Sequence, residues 1–277
     1  MAEITAAAVR ALREKTGLPM MDCKKALTEA KGDEALAIEE LRKAGISLQG
    51  SRGGRETAFG RFGLATGVDK KAGAIVEVKC ESAPVAGSEE FIAFCNDMAA
   101  ALATGGDAAS ADELLARPSP SQKGKTLKDV KDDMFNRIRE VFNIGRFARF
   151  GGPAGGYSHN SGTVSGVLLE VEGGTDEAAK DICMHVAAMR PAAMSKEEID
   201  PALVQKEREI LREAAIKEGK PVNIVDKMVE GRLKNFYAER VLTEQPYVKD
   251  DKQSVGQYAE SKGMKLKRFI HWELGRE

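Results

Sequence analysis

The sequence predicts an α+β fold: a small helical module, a core of two similar antiparallel-sheet and helix subdomains, and a protruding antiparallel helical hairpin. Three observations carry this. Apolar residues recur at helical spacing before residue 47, the period changes to 2 from residue 57, and one strand-then-helix phrase occurs twice. The 277 residues are 42% apolar and 31% charged, which suits a folded chain able to bury a sizeable core. Lys and Arg total 42 against 43 Asp and Glu, a formal net charge of −1, which argues against neutralising phosphate backbones and so against nucleic acid as a direct partner. Cys23, Cys80, Cys95 and Cys183 never approach CxxC spacing, and no basic-then-apolar leader precedes them, so a reducing cytoplasm is the expected compartment. No run nears the length of a membrane span, so no membrane partner is expected.

The first element is a helix from Ala6, with Thr5 as N-cap and Ile4 able to staple onto Val9; Val9 and Leu12 form its inner stripe until Gly17. A short helix follows Pro19 and carries Ala26, Leu27 and Ala30 to Gly32. Asp33 then caps a third helix, with Leu36, Leu41 and Ala44 on one face and Gly45 as its expected stop. Residues 1–47 thus read as a three-helix module. Residues 48–56 follow as a flexible linker, because Gln49-Gly-Ser-Arg-Gly-Gly-Arg55 combines glycines, a serine and repelling arginines.

Residues 57–66 and 74–80 flank a glycine-bounded turn and predict a hairpin, with a helix presenting Phe91, Cys95, Met98 and Leu102 to pack on it. The phrase returns as the strand Val167-Leu-Leu-Glu-Val171 and a helix with Ile182, Cys183, Val186 and Met189, ended by Pro191. From Val78 to Cys95 is 17 positions and from Val171 to Cys183 is 12, so the first copy has a longer strand-to-helix loop, holding Cys80-Glu-Ser-Ala-Pro-Val85. A helix with Leu127, Val130, Met134, Ile138 and Val141 separates the copies. These features divide the core into a first subdomain, 57–142, and a second, 143–277. A helical hairpin at about 195–237 is inserted in the second, its helices starting at Asp200-Pro201 and turning at Gly219-Lys-Pro221. Lys265 to Leu274 reads as a final strand with Leu266, Ile270, Trp272 and Leu274 on one face.

Conventional chemistry finds little support. Gly124-Lys125-Thr126 resembles the end of a phosphate-binding loop, but Ser119 stands where its first glycine belongs. Gly151-Gly-Pro-Ala-Gly-Gly156 lacks GxGxxG spacing and reads as a loop between strands. The three histidines, His159, His185 and His271, show no zinc-binding spacing, and no Ser/His/Asp or Cys/His set can be singled out, so neither catalytic residues nor a metal are assigned. His185 aligns with Asp97 of the first copy and falls off the Ile182, Val186, Met189 face; it reads as a surface histidine, with a partner contact as the alternative.

Two segments resist a purely structural account. Leu18-Pro-Met-Met21 puts apolar side chains in a connection that should be polar; the small core could absorb one methionine, while two exposed soft side chains would suit a partner helix. Ser82-Ala-Pro-Val85 is an uncharged tip stiffened by proline, explained by a simple turn or by a probe carried on a rigid scaffold.

These residues resemble a known family. The run Thr16-Gly-Leu-Pro-Met-Met-Asp-Cys-Lys-Lys-Ala-Leu27 with Gly32-Asp33 is similar to the N-terminal module of bacterial elongation factor Ts proteins, guanine-nucleotide exchange factors of elongation factor Tu. The likeness continues through Glu77-Val-Lys-Cys-Glu81, Met184-His-Val-Ala-Ala188, Gly219-Lys-Pro221, Lys227 to Phe236, Leu242 to Val248 and Phe269-Ile-His-Trp-Glu-Leu274. It implies a ubiquitin-associated-like (UBA-like) three-helix module that docks on the partner GTPase, and a hairpin that dimerises some members. It also implies a loop after the first-copy strand that enters near the partner's magnesium site, and a helix histidine in contact with the partner. Carried onto this chain, the docking methionines are Met20 and Met21, the magnesium-dislocating loop is Ser82, Ala83, Pro84 and Val85, and the histidine is His185. No cofactor is implied for the chain itself.

The chain departs from the resemblance at the probe. Ala83 replaces the usual acidic residue and Pro84 the usual phenylalanine; either the partner's pocket suits Pro84 and Val85, or nearby Phe91 or Phe94 substitutes for the lost aromatic volume, or exchange depends more on the other contacts. A further expected departure is the ending at Glu277, where many members continue into a short helix.

Overall fold

A computed structural model describes residues 4–52, 54–219 and 221–276. The first three helices are α1 (Ala6–Thr16), α2 (Met20–Glu29) and α3 (Glu34–Arg52). Thr5 caps α1 by accepting the Ala8 N–H at 3.2 Å, and Gly17 ends it at φ 68°, a left-handed conformation that costs glycine nothing. Asp33 caps α3 through the Leu36 N–H at 3.0 Å. Val9, Leu12, Leu18, Cys23, Ala26, Leu27, Ala30, Ala37 and Leu41 form the buried centre of this module.

Two expectations about α3 change. Its inner face runs through Ala37 and Leu41, leaving Leu36 and Ala44 exposed. Gly45 does not stop the helix, which runs to Arg52 and takes in residues 48–52 of the expected linker. The glycine answers a different need: a Cβ there would overlap the side chain of Asn136, so its absence lets α3 approach a later helix closely.

The chain divides into two compact units, one of residues 1–63 and 76–147, the other of 64–75 and 148–277. The strands β1 (Phe59–Ala65) and β2 (Gly73–Cys80) are followed by helices α4 (Ala83–Ala86), α5 (Glu89–Gly105), α6 (Ala111–Leu115) and α7 (Leu127–Ile138), then by β3 (Asn143–Phe150). These strands form a sheet ordered β1-β2-β3. The strand β3 therefore belongs with β2, although residues from 143 were expected in the second subdomain; Glu77 accepts from Arg146 Nε and Nη2, both at 3.0 Å.

A second sheet, ordered β4-β5-β8, comprises β4 (Ala154–His159), β5 (Ser165–Gly173) and β8 (Met264–Glu273). Between β5 and β8 lie α8 (Asp176–Met189), α9 (Pro201–Lys217), α10 (Val222–Arg240), the short strands β6 (Pro246–Tyr247) and β7 (Asp250–Ser254), and α11 (Val255–Ser261). Both sheets thus share the sequence strand, central strand, helix, edge strand. Val167, Leu168 and Leu169 of β5 are fully buried, as a central strand requires, each worth about 1.5–3 kcal/mol of burial.

Both copies also bring a glycine of the first strand against the packed helix. A Cβ on Gly63 would strike the Cys95 carbonyl in α5, and one on Gly155 would strike Ala179 in α8. Residues 154–156 of the expected glycine-rich loop are therefore strand. On β8, Lys267 is an extra residue between Leu266, opposite Val171, and Arg268, opposite Glu170. This bulge reverses the alternation, so Leu266 packs inward with Phe269, not on one face with Ile270 and Trp272.

The helices α9 and α10 run antiparallel, with Ala215, Val225, Val229 and Leu233 buried between them and the Arg208–Glu230 ion pair across them. Among the described residues, no helix is long and apolar enough to cross a membrane.

Candidate partner-binding site

The connection before α2 buries Leu18 and then breaks the helical hydrogen bonding at Pro19, whose carbonyl accepts the Cys23 N–H at 3.1 Å. Met20 and Met21 occupy the first turn of α2, 49% and 72% exposed, so the module core absorbs neither. They border a shallow groove of about 810 Å³ in which Ala6, Ala7 and Ala11 of α1 sit beside the charged Arg10, Glu14 and Lys24. The exposed thioethers are soft, unbranched side chains able to change rotamer at little cost.

The expected loop at Ser82–Val85 is a helical turn. Ser82 precedes α4 in extended conformation, and Pro84 sits in the first turn, where a missing N–H is tolerated. Ala83 and Pro84 are exposed; Val85 is half-buried, and its carbonyl accepts from Ser88 Oγ at 2.8 Å. The turn is anchored from below. Glu140 accepts the Ser82 N–H at 3.1 Å and the Ser82 hydroxyl at 2.6 Å, while Glu81 accepts the Val141 N–H at 2.8 Å. Two adjacent carboxylates thereby clasp residues 81–82 and 140–141 reciprocally. Nothing local in the sequence marks this clasp, since its halves lie some sixty positions apart.

Phe91 and Phe94 are at most 2% exposed, and Phe91 packs on Phe142 with ring centroids 5.8 Å apart. Neither supplies an aromatic tip beside Pro84, which removes that one of the three alternatives: both are buried side chains of the first turns of α5.

His185 is also placed differently. It is fully buried, and Met189, expected on the core face, is 45% exposed. The segment after α10 covers this side of α8: His185 Nδ1 accepts the Val248 N–H at 3.2 Å, and its Nε2 lies 3.0 Å from Gln245 Oε1. A backbone N–H only donates, so Nδ1 carries no proton and His185 is the neutral Nε2–H tautomer, donating to Gln245. Burial lowers its pKa, opposed by the Gln245 hydrogen bond. Tyr247 stacks on Tyr258 at 4.2 Å beside it, leaving Val248 52% exposed.

Burial pushes the Cys80 thiol up to about 11 and raises Cys95 and Cys183 as well, so these thiols are poor nucleophiles at neutral pH. No group of three His, Cys, Asp or Glu among the described residues could hold a metal ion.

Comparison with known proteins identifies the family. A family profile described as Elongation factor TS matches residues 70–276. The elongation factor Ts of Methylococcus capsulatus is 43% identical over 273 residues, spanning 98% of this chain and 92% of that protein. Those of Thioalkalivibrio sulfidiphilus and Hyphomonas neptunium are 40% and 41% identical, spanning 98% and 99% of this chain and 92% and 93% of theirs. The chain therefore belongs to the elongation factor Ts family of translation elongation factors.

Proposed function

We propose that this chain is a cytoplasmic guanine-nucleotide exchange factor: it binds the GDP form of elongation factor Tu and promotes exchange of GDP for GTP, without covalent chemistry. The observation that carries the reading is the exposed Met20–Met21 pair on a family member's first module. In this reading α1 to α3 are the UBA-like docking module, and the Ser82–Val85 turn approaches the partner's magnesium and phosphate-binding region. A protein that binds the vacant GTPase better than the GDP-bound form weakens GDP by the same factor, each tenfold costing about 1.4 kcal/mol. Magnesium bridges phosphate oxygens, so displacing it loosens the nucleotide. His185 contributes indirectly, by holding the exposed Val248 in place.

The hairpin of α9 and α10 is proposed as the surface for a homodimer, since Leu203 and Ile210 remain 46% and 52% exposed after the helices pack together. No nucleic acid partner is proposed.

A second reading draws on Ala83 and Pro84, which supply neither charge nor an aromatic wedge: the chain binds the same GTPase as a holdase or assembly subunit without speeding exchange. Stopped-flow release of a fluorescent GDP analogue from elongation factor Tu separates the two. Exchange predicts acceleration of at least tenfold at saturation; an unchanged release rate leaves only the binding reading.

A further inference from the structure

Within the first unit, the two proposed contact elements are tied to neighbouring residues at the end of α7. Asp22 follows Met20 and Met21 in the first turn of α2, and its carboxylate accepts from Arg139 Nη2 at 2.6 Å. The next residue, Glu140, holds both donors of Ser82, at 3.1 Å for the N–H and 2.6 Å for the hydroxyl. Arg139 ends α7 in the left-handed region at φ 64°, its N–H bonded to the Phe135 carbonyl at 2.7 Å. This conformation turns the chain sharply, so that consecutive side chains reach opposite ways, one to α2 and one to the turn before α4.

Other contacts brace the same junction. Arg42 of α3 pairs with Asp129 of α7, and a Cβ on Gly17 or Gly45 would collide with Arg137 or Asn136, so the module sits directly on α7. The helix α7 is itself firmly started, by a capping box between Thr126 and Asp129.

We infer that Arg139 and Glu140 are positioning residues that fix the Met20–Met21 surface and the Ala83–Pro84 turn in one geometry, so that binding at the first directs the second onto the nucleotide site. The inference rests on the exchange reading above. An uncharged turn lacking an aromatic wedge gains leverage chiefly from rigid support, because freedom in either element would dissipate binding energy as motion.

Three variants separate the links. Arg139→Gly allows the left-handed turn and removes the tie to Asp22; Glu140→Ala releases Ser82; Asp22→Arg with Arg139→Asp reverses the ion pair and restores it. In stopped-flow GDP release at rising factor concentration, Glu140→Ala and Arg139→Gly should lower the maximal rate roughly tenfold, with half-saturation within about twofold of the parent. The charge-reversed pair should recover the rate, which a merely structural role for Arg139 does not predict. Unchanged maximal rates, or a shift in half-saturation alone, overturn the inference. Hydrogen exchange of the free protein reads the mechanical link without any exchange activity: Glu140→Ala should deprotect residues 81–88, and Arg139→Gly the start of α2. Protection equal to the parent's at both places also overturns it, whereas deprotection with a parent protein that leaves GDP release unchanged refutes the exchange reading alone.

Discussion

Asp97 of α5 and His185 of α8 stand at corresponding positions of the two repeats, and each is a buried polar group pinning a distant segment onto its helix. Asp97 accepts from the hydroxyls of Ser119 and Ser121 at 2.7 and 2.5 Å, fastening the loop before α7. His185 fastens residues 245–248. The two helices meet the same need with different chemistry, a carboxylate on one and a neutral imidazole on the other.

His185→Ala therefore leaves the Val248 N–H and the Gln245 amide without their partner and opens a cavity in α8. A loss of about 2–4 kcal/mol in urea unfolding is expected. A loss below about 0.5 kcal/mol would contradict the burial described.

The same residue makes stability pH-dependent. Its folded pKa lies below the ordinary 6.5, so between the two values the unfolded chain binds the proton that the folded one refuses. Stability should fall as pH drops below about 6.5, down through the folded pKa, and His185→Gln should flatten that slope in thermal melts between about pH 7 and 5.

Arg146→Met leaves the Glu77 carboxylate, 1% exposed, without its guanidinium. Destabilisation of about 3 kcal/mol is expected, and the double variant Glu77→Met with Arg146→Met should recover most of it. A double variant no more stable than the single would show that the Arg146 backbone N–H, which donates to the same carboxylate at 3.2 Å, suffices to hold it.

Met20→Asp with Met21→Asp should weaken the complex with elongation factor Tu more than tenfold by calorimetry and change the melting temperature little, because both side chains are exposed. Unchanged affinity would remove these methionines from the proposed docking surface.

Gly155→Ala introduces a Cβ against Ala179 of α8, where strand and helix already touch. A loss of about 1–3 kcal/mol is expected from chemical denaturation; no loss would mean that α8 gives way easily.

Local periodicity made the helices legible, since Val9 and Leu12, or Phe91, Cys95, Met98 and Leu102, mark their own faces. It failed where a distant segment decides. His185 lies inward because residues sixty positions later cover it, Gly45 continues a helix because Asn136 fills the space beside it, and Lys267 is skipped by the pairing of β8 with β5. The exposed methionines were legible because an apolar pair in a polar connection is a local anomaly. Glu140 was not, because its significance lies wholly in what it touches.

The four cysteines, all free and all enclosed, are spread through the architecture: Cys23 in the helical module, Cys80 and Cys95 in the first repeat, Cys183 in the second. None meets solvent while its surroundings stay folded, and each becomes available to an alkylating reagent when they open. The chain carries its own set of chemical clocks, at least one for each of these three parts, able to time which of them comes apart first without any label being added.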